Sequence, residues 1–112
     1  MKTYVHTAEF LKAMAHPARL QIAEMLREGE ACVCHLEAHL GYRQPYISQQ
    51  IMVMRRARLL TERRDGTYVF YRLADPRVGA VLDTLMPEGQ GRKGRRAAAC
   101  SCPDCAPVAE AN

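Results

Sequence analysis

The chain is 112 residues long, 48 % apolar and 25 % charged, with a net charge of +4. That length supports one domain with a modest core and excludes a (β/α)8 barrel or a dinucleotide-binding enzyme with a separate substrate domain. No unbroken apolar run exceeds four residues, Ile51 to Met54 being one, which excludes a membrane-spanning helix. Met1 to His6 lacks the apolar stretch of a signal peptide. The expected compartment is the cytoplasm, with no membrane partner.

Phe10, Leu11 and Met14 recur at helical spacing between Thr7 and Met14, predicting a first helix. His16-Pro17 ends it and opens a second, with proline suited to the first turn. This second helix should run to about Glu28, with Leu20, Ala23, Met25 and Leu26 inward and Gly29 as its stop. Val33, Leu36 and Leu40 mark a short third helix, terminated by Gly41. Gln44-Pro45 opens a fourth, with Ile47, Ile51, Met54 and Ala57 inward. Two helices joined by a tight, glycine-containing turn form a helix-turn-helix.

Asp65-Gly66, between Thr61 to Arg64 and Thr67 to Leu73, predicts a β-hairpin. Asp75-Pro76 starts a last helix with the stripe Val78, Val81, Leu82 and Leu85, ended by Pro87 and Gly89. The order is α-α-α-α-β-β-α: mainly helical, with a β-hairpin wing, a winged helix-turn-helix. It should occupy residues 1–88. Residues 89–112 should form a flexible tail, with a linker at 89–99 and cysteines beyond it. The stripes Phe10, Leu11, Met14 and Val78, Val81, Leu82, Leu85 exceed what one small domain needs. They are the expected interface of a homodimer.

Charge is unevenly placed. Residues 43–72 carry seven arginines against Glu62 and Asp65, whereas residues 1–42 are net −1. A basic block within a folded domain points to a polyanion. With Ile47 inward, Gln49 faces out at about 100° per residue, flanked by Tyr46 and Ser48. Gln44, Ser48, Gln49 and Gln50 are uncharged hydrogen-bonding side chains near a helix N-terminus, suited to base edges. Arg43, Arg55, Arg56 and Arg58 suit phosphates, which position without specifying sequence. Arg63, Arg64, Thr67 and Tyr68 lie at the hairpin tip, a wing against the DNA backbone or minor groove. No nucleophile–base constellation, phosphate-binding glycine loop or carboxylate pair is evident, so no enzyme is expected.

Five cysteines and no secretory signal argue against a disulfide scaffold. Cys32 and Cys34 form one pair; Cys100, Cys102 and Cys105 form a cluster in the tail. Clustered thiols in a reducing compartment are candidate ligands for soft ions or candidates for redox chemistry. Side chains at i and i+2 diverge by about 200° on a regular helix and share a side in extended chain. Chelation by Cys32 and Cys34 therefore requires an irregular start to the third helix.

Leu11-Lys12-Ala13-Met14-Ala15-His16-Pro17-Ala18-Arg19-Leu20 resembles the opening of the ArsR family of metal-sensing winged-helix repressors. Ala31-Cys32-Val33-Cys34-His35-Leu36 resembles that family's metal box, and Gln44-Pro45-Tyr46-Ile47-Ser48 its recognition-helix start. Asp65-Gly66 through Leu73 resembles its wing. The resemblance spans about residues 8 to 86. It implies a homodimer on double-stranded, pseudo-palindromic operator DNA, released when a metal or metalloid binds. Two residues depart from the pattern: His35 replaces an aspartate, and Arg43 stands where serine is common.

Some members of that family carry a second site of Asp and His on the last helix; residues 75–87 hold Asp75 and Asp83 but no histidine. The expected inducer is therefore a thiophilic ion on Cys32, Cys34, Cys100, Cys102 and Cys105, As(III) or Sb(III) ahead of Cd(II) or Pb(II). The alternative is a thiol redox or persulfide switch on the same fold.

Overall fold

The computed structural model describes residues 1–86. Helix α1 spans Lys2–Met14, five residues more at its N-terminus than the apolar spacing predicts. Its end follows from Pro17: His16, preceding a proline, is forced out of the helical region and is extended at φ −157°, ψ 131°. The His16 ring then serves helix α2 (Pro17–Leu26), Nδ1 accepting the Ala18 N–H at 3.1 Å. Helix α2 stops two residues short of Glu28. Ile22 and Ala18 join Ala23, Met25 and Leu26 on its buried side, while Leu20 is half-buried.

Strand β1, Ala31–Cys32, has no counterpart in the predicted order. It pairs antiparallel with β3 (Tyr68–Leu73), Ala31 opposite Tyr71 and Cys32 opposite Phe70. Strand β2 (Leu60–Asp65) lies along the other edge of β3, so the sheet order is β1-β3-β2. The hairpin tip is two residues, Gly66 and Thr67. Gly66 has φ +63°, at the first loop position where type II′ turns take glycine.

Helix α3, Val33–Leu40, ends at Gly41, whose φ of +80° closes it in the left-handed region. Helix α4, Gln44–Arg56, begins with Pro45 in its first turn. Helix α5, Pro76–Leu85, is capped by Asp75, whose carboxylate accepts the Arg77 N–H at 2.9 Å. Arg77 also grips that carboxylate with its side chain, which holds Asp75 below its ordinary carboxyl pKa against an opposing effect of burial.

One core joins all five helices. Ile22, Leu36, Ile47, Met54, Leu59, Val78 and Leu82 lie within it, fully buried. Fully burying each such side chain contributes roughly 1.5–3 kcal/mol. Phe10 and Met14 belong to the same core. This corrects part of the expected dimer surface: Phe10, Met14, Val78 and Leu82 face the protomer's own interior, so they cannot also face a partner. Leu11 and Leu85 are exposed and Val81 is half-buried. No helix among the described residues is long and apolar enough to cross a membrane.

Candidate nucleic-acid interface and cysteine junction

The buried side of α4 is Ile47, Gln50, Ile51 and Met54. The opposite side carries Pro45, Gln49, Met52 and Arg56, with Ser48 and Arg55 on one flank and Tyr46 on the other. Gln49 and Gln44 are exposed, and Ser48 is half-buried. Gln50 departs from the predicted reading face. It is 8 % exposed, and its Oε1 accepts from Arg19 Nη1 at 2.8 Å. Arg19 also donates to the Ala13 and Lys12 carbonyls at the end of α1, at 2.6 and 3.2 Å. Gln50 thus ties α4 to α1 and α2. Its i+3 spacing from Ile47 already places it inward.

Tyr46 is held between His16 and Tyr42. Its hydroxyl lies 3.5 Å from His16 Nε2, and the two tyrosine rings are 5.1 Å apart. His16 Nδ1 is an acceptor, so the ring proton sits on Nε2, facing that hydroxyl.

The arginines divide into two groups. Arg43, Arg56 and Arg58 are exposed and make no ion pair among the described residues. Arg55 and Arg64 share Glu62, at 2.7 and 3.5 Å. Arg63 is anchored through two nitrogens to Glu30 and lies 4.7 Å above the Phe70 ring. The wing therefore uses Arg63 to brace itself against the α2–β1 connection, while Arg64 and Thr67 are exposed. Ser48, Ile51, Met52, Arg55, Arg56 and Tyr71 line a groove of about 460 Å³ between α4 and the sheet. Burial, reinforced by Glu62, raises the Tyr71 hydroxyl above its ordinary 10.0, so it stays a neutral donor there.

Cys32 is the N-cap residue of α3, extended at φ −87°, ψ 167°, with its sulfur accepting the His35 N–H at 3.3 Å. Cys34 follows in the first helical turn. The strand-to-helix break that chelation by an i, i+2 pair requires is present. Cys32 is 2 % exposed and packs with Phe70; Cys34 and Tyr68 pack against that pair. Tyr68 is thus half-buried beside the thiols, a role the hairpin position did not reveal. His35 is buried and stacks on His39, ring centres 4.8 Å apart.

Among the described residues, no three His, Cys, Asp or Glu side chains stand close enough to hold a metal ion. Two thiols alone do not complete a three-sulfur site. Cys100, Cys102, Cys105 and the linker lie outside the described residues.

A helix-turn-helix with a polar outward face, a flanking wing and unpaired arginines defines a winged-helix DNA-binding regulator. The family model described as bacterial regulatory protein, arsR family, matches residues 16–62. The chain is 43 % identical over 84 residues to a biofilm growth-associated repressor of Agrobacterium fabrum, covering 75 % of this chain and 72 % of that protein. HlyU from Vibrio cholerae N16961 superposes with a TM-score of 0.73 at 34 % identity, covering 78 % and 95 % of the two chains. Its reduced form gives 0.71 at 35 %, covering 76 % and 93 %. A possible transcriptional regulator for arsenical resistance gives 0.59 at 36 %, covering 71 % and 82 %. The chain belongs to the ArsR family of DNA-binding transcriptional repressors and is not an enzyme.

Proposed function

We propose that the chain acts as a cytoplasmic homodimer on a pseudo-palindromic operator and leaves it when a thiophilic ion takes Cys32 and Cys34. As(III) or Sb(III) is the preferred inducer, ahead of Cd(II) or Pb(II). The third sulfur comes from Cys100, Cys102 or Cys105, in the same protomer or its partner. The likeness to a possible regulator for arsenical resistance supports this ion class.

One observation carries the reading. The Cys32 sulfur caps α3, the first helix of the helix-turn-helix, while the Cys32 backbone pairs with Phe70 in the wing. Cys32 is also buried. An ion that coordinates its sulfur withdraws the cap from the His35 N–H and opens the β1–α3 junction. The ion therefore favours a conformation other than the one described, and that differential affinity is what a population shift requires. Both the helix-turn-helix and the wing feel the change.

On the DNA side, Gln49, Ser48, Gln44 and Tyr46 address bases. Arg43, Arg55, Arg56, Arg64 and Thr67 address the backbone. The dimer is carried by Leu11 and Tyr4 on α1 with Leu85 and Val81 on α5, apolar groups that the protomer's core leaves wholly or partly exposed. Two recognition helices would then meet successive major grooves about 34 Å apart. A second reading, thiol oxidation at the same cysteines, is favoured by the likeness to HlyU, whose reduced form is a defined state.

Anaerobic titration of the reduced full chain with arsenite, antimonite, Cd(II), Pb(II) and Zn(II) tests the proposal. Operator release and thiolate charge-transfer absorbance should move together for the three-sulfur ions. Release by oxidant alone, with none by any ion under strict reduction, selects the second reading.

A further inference from the structure

Met52 is out of character with its surroundings on α4. It points away from Ile47, borders the groove that Ile51 and Tyr71 also line, and is 51 % exposed. Gln49 and Arg56 beside it on the outward side, and Ser48 and Arg55 on the adjoining flank, are polar or cationic, while Val53 next to it is also exposed and Tyr71 lies across the groove. It joins neither the core nor the half-buried residues packed against the core. The cationic surround favours a polyanion, and within such a partner an apolar side chain needs an apolar contact. In the floor of the DNA major groove, that contact is the C5-methyl group of thymine. Three residues along a helix rise about 4.5 Å, close to the roughly 3.4 Å between successive bases of a strand. Gln49 and Met52 are therefore spaced to address neighbouring base pairs, glutamine through adenine N6 and N7, methionine through a thymine methyl. The thioether's rotatable chain lets it settle on a methyl without fixed geometry.

We infer that Met52 is a specificity determinant of the operator, taking the C5-methyl of a thymine one base-pair step from the pair read by Gln49. The inference rests on the reading of α4 as the recognition helix. It adds a methyl-dependent component to a face otherwise described by hydrogen bonds and charge.

The test uses the operator half-site recovered by the full chain from a randomised duplex library. Each thymine in that half-site is replaced in turn by deoxyuridine, which removes one methyl and keeps every hydrogen-bonding edge. At one thymine the wild type should lose about fourfold per half-site, the scale of one buried methyl-sized group. Met52→Ala should bind the thymine and uracil duplexes equally at that position, and Met52→Leu should still discriminate. Met52 is exposed, and matching thermal melts establish that both variants are folded. A wild type indifferent to deoxyuridine at every position overturns the inference, as does a Met52→Ala variant with the wild-type thymine preference. Gln49→Ala on the same duplexes separates this from the reading beneath it. Loss of operator preference in Gln49→Ala, together with an unchanged thymine preference in Met52→Ala, keeps α4 as the recognition helix and overturns Met52 alone. No change in either variant overturns both.

Discussion

Cys32 and Gln49 sit on the two sides of one helix-turn-helix turn, and their surroundings differ in kind. Cys32 is buried, its sulfur serving a backbone N–H and its backbone paired with the wing. Gln49 is exposed, and among the described residues neither it nor Arg43 or Arg56 makes a side-chain hydrogen bond or ion pair. Change at Cys32 therefore spreads through packing and pairing, whereas change at Gln49 stays local and, on the proposed reading face, would be felt by the DNA. A repressor needs both behaviours: one region that cannot change alone, and one whose side chains can each be matched to a base or a phosphate.

The comparison is broken most forcefully at Phe70. It is fully buried, stands opposite Cys32, and carries Arg63 over its ring. Phe70→Ala should lower stability by about 3–5 kcal/mol, measured by denaturant unfolding. A loss under about 1 kcal/mol would mean that the junction is not the packed unit described.

On the exposed face, Gln49→Ala should cost about 1–3 kcal/mol on the operator and little on random DNA. Arg56→Ala should weaken both and reduce the salt slope by about one. Arg63→Ala should show itself first in stability, because Glu30 and Phe70 hold that side chain. Titrations on both DNAs across a salt series read all three. Equal losses on the two DNAs for Gln49→Ala would misplace the reading face.

A smaller effect separates the two chemistries of Cys32. Serine is a strong N-cap and alanine is not. Cys32→Ser should therefore keep the α3 cap, and Cys32→Ala should be about 1 kcal/mol less stable than Cys32→Ser. Equal stabilities would remove the sulfur from the capping role.

The smallest effect lies outside both regions, at Asp75, and serves as a control. Its carboxyl is held low chiefly by the Arg77 side chain. A depressed folded pKa stabilises the protein above the unfolded value. That contribution is lost as pH falls through the folded one, progressively below about pH 5. The stability gap between wild type and Asp75→Asn should narrow with acidification. A gap that stays constant from neutral pH to the acid limb would rule out the charge effect.

Much of the fold was legible because local signals agreed with it. Pro17, Pro45 and Pro76 each open a helix, Gly41 closes one, and Asp65-Gly66 turns the hairpin. Strand β1 was not legible. Two residues, Ala31 and Cys32, carry no alternation, and their pairing is with β3, nearly forty positions away. A separation of 33 positions likewise hides the Arg63–Glu30 pair, and a comparable one hides that Tyr68 packs beside the thiols.

The apolar stripes of α1 and α5 looked like surplus because a linear pattern does not say which core they fill. Phe10, Met14, Val78 and Leu82 complete the protomer, and the exposed Leu11 and Leu85 are what remains for a partner. Gln50 was misread by residue type, although its spacing from Ile47 and Met54 gave its direction. The outward position of Gln49, with Ser48 on its flank, was legible from helical geometry alone.

In the mechanism proposed above, release from DNA is driven at Cys32 and Cys34. Its most direct test is operator release by arsenite, followed by fluorescence anisotropy under anaerobic, reducing conditions. The wild type, Cys32→Ser/Cys34→Ser and a truncation after Ala99 are compared at equal operator occupancy. The wild type should release, and the double-serine variant should stay bound at every arsenite concentration. The truncation should release weakly, having lost the third sulfur. A double-serine variant that releases like wild type, beside a truncation that does not, would move the inducer site to the tail.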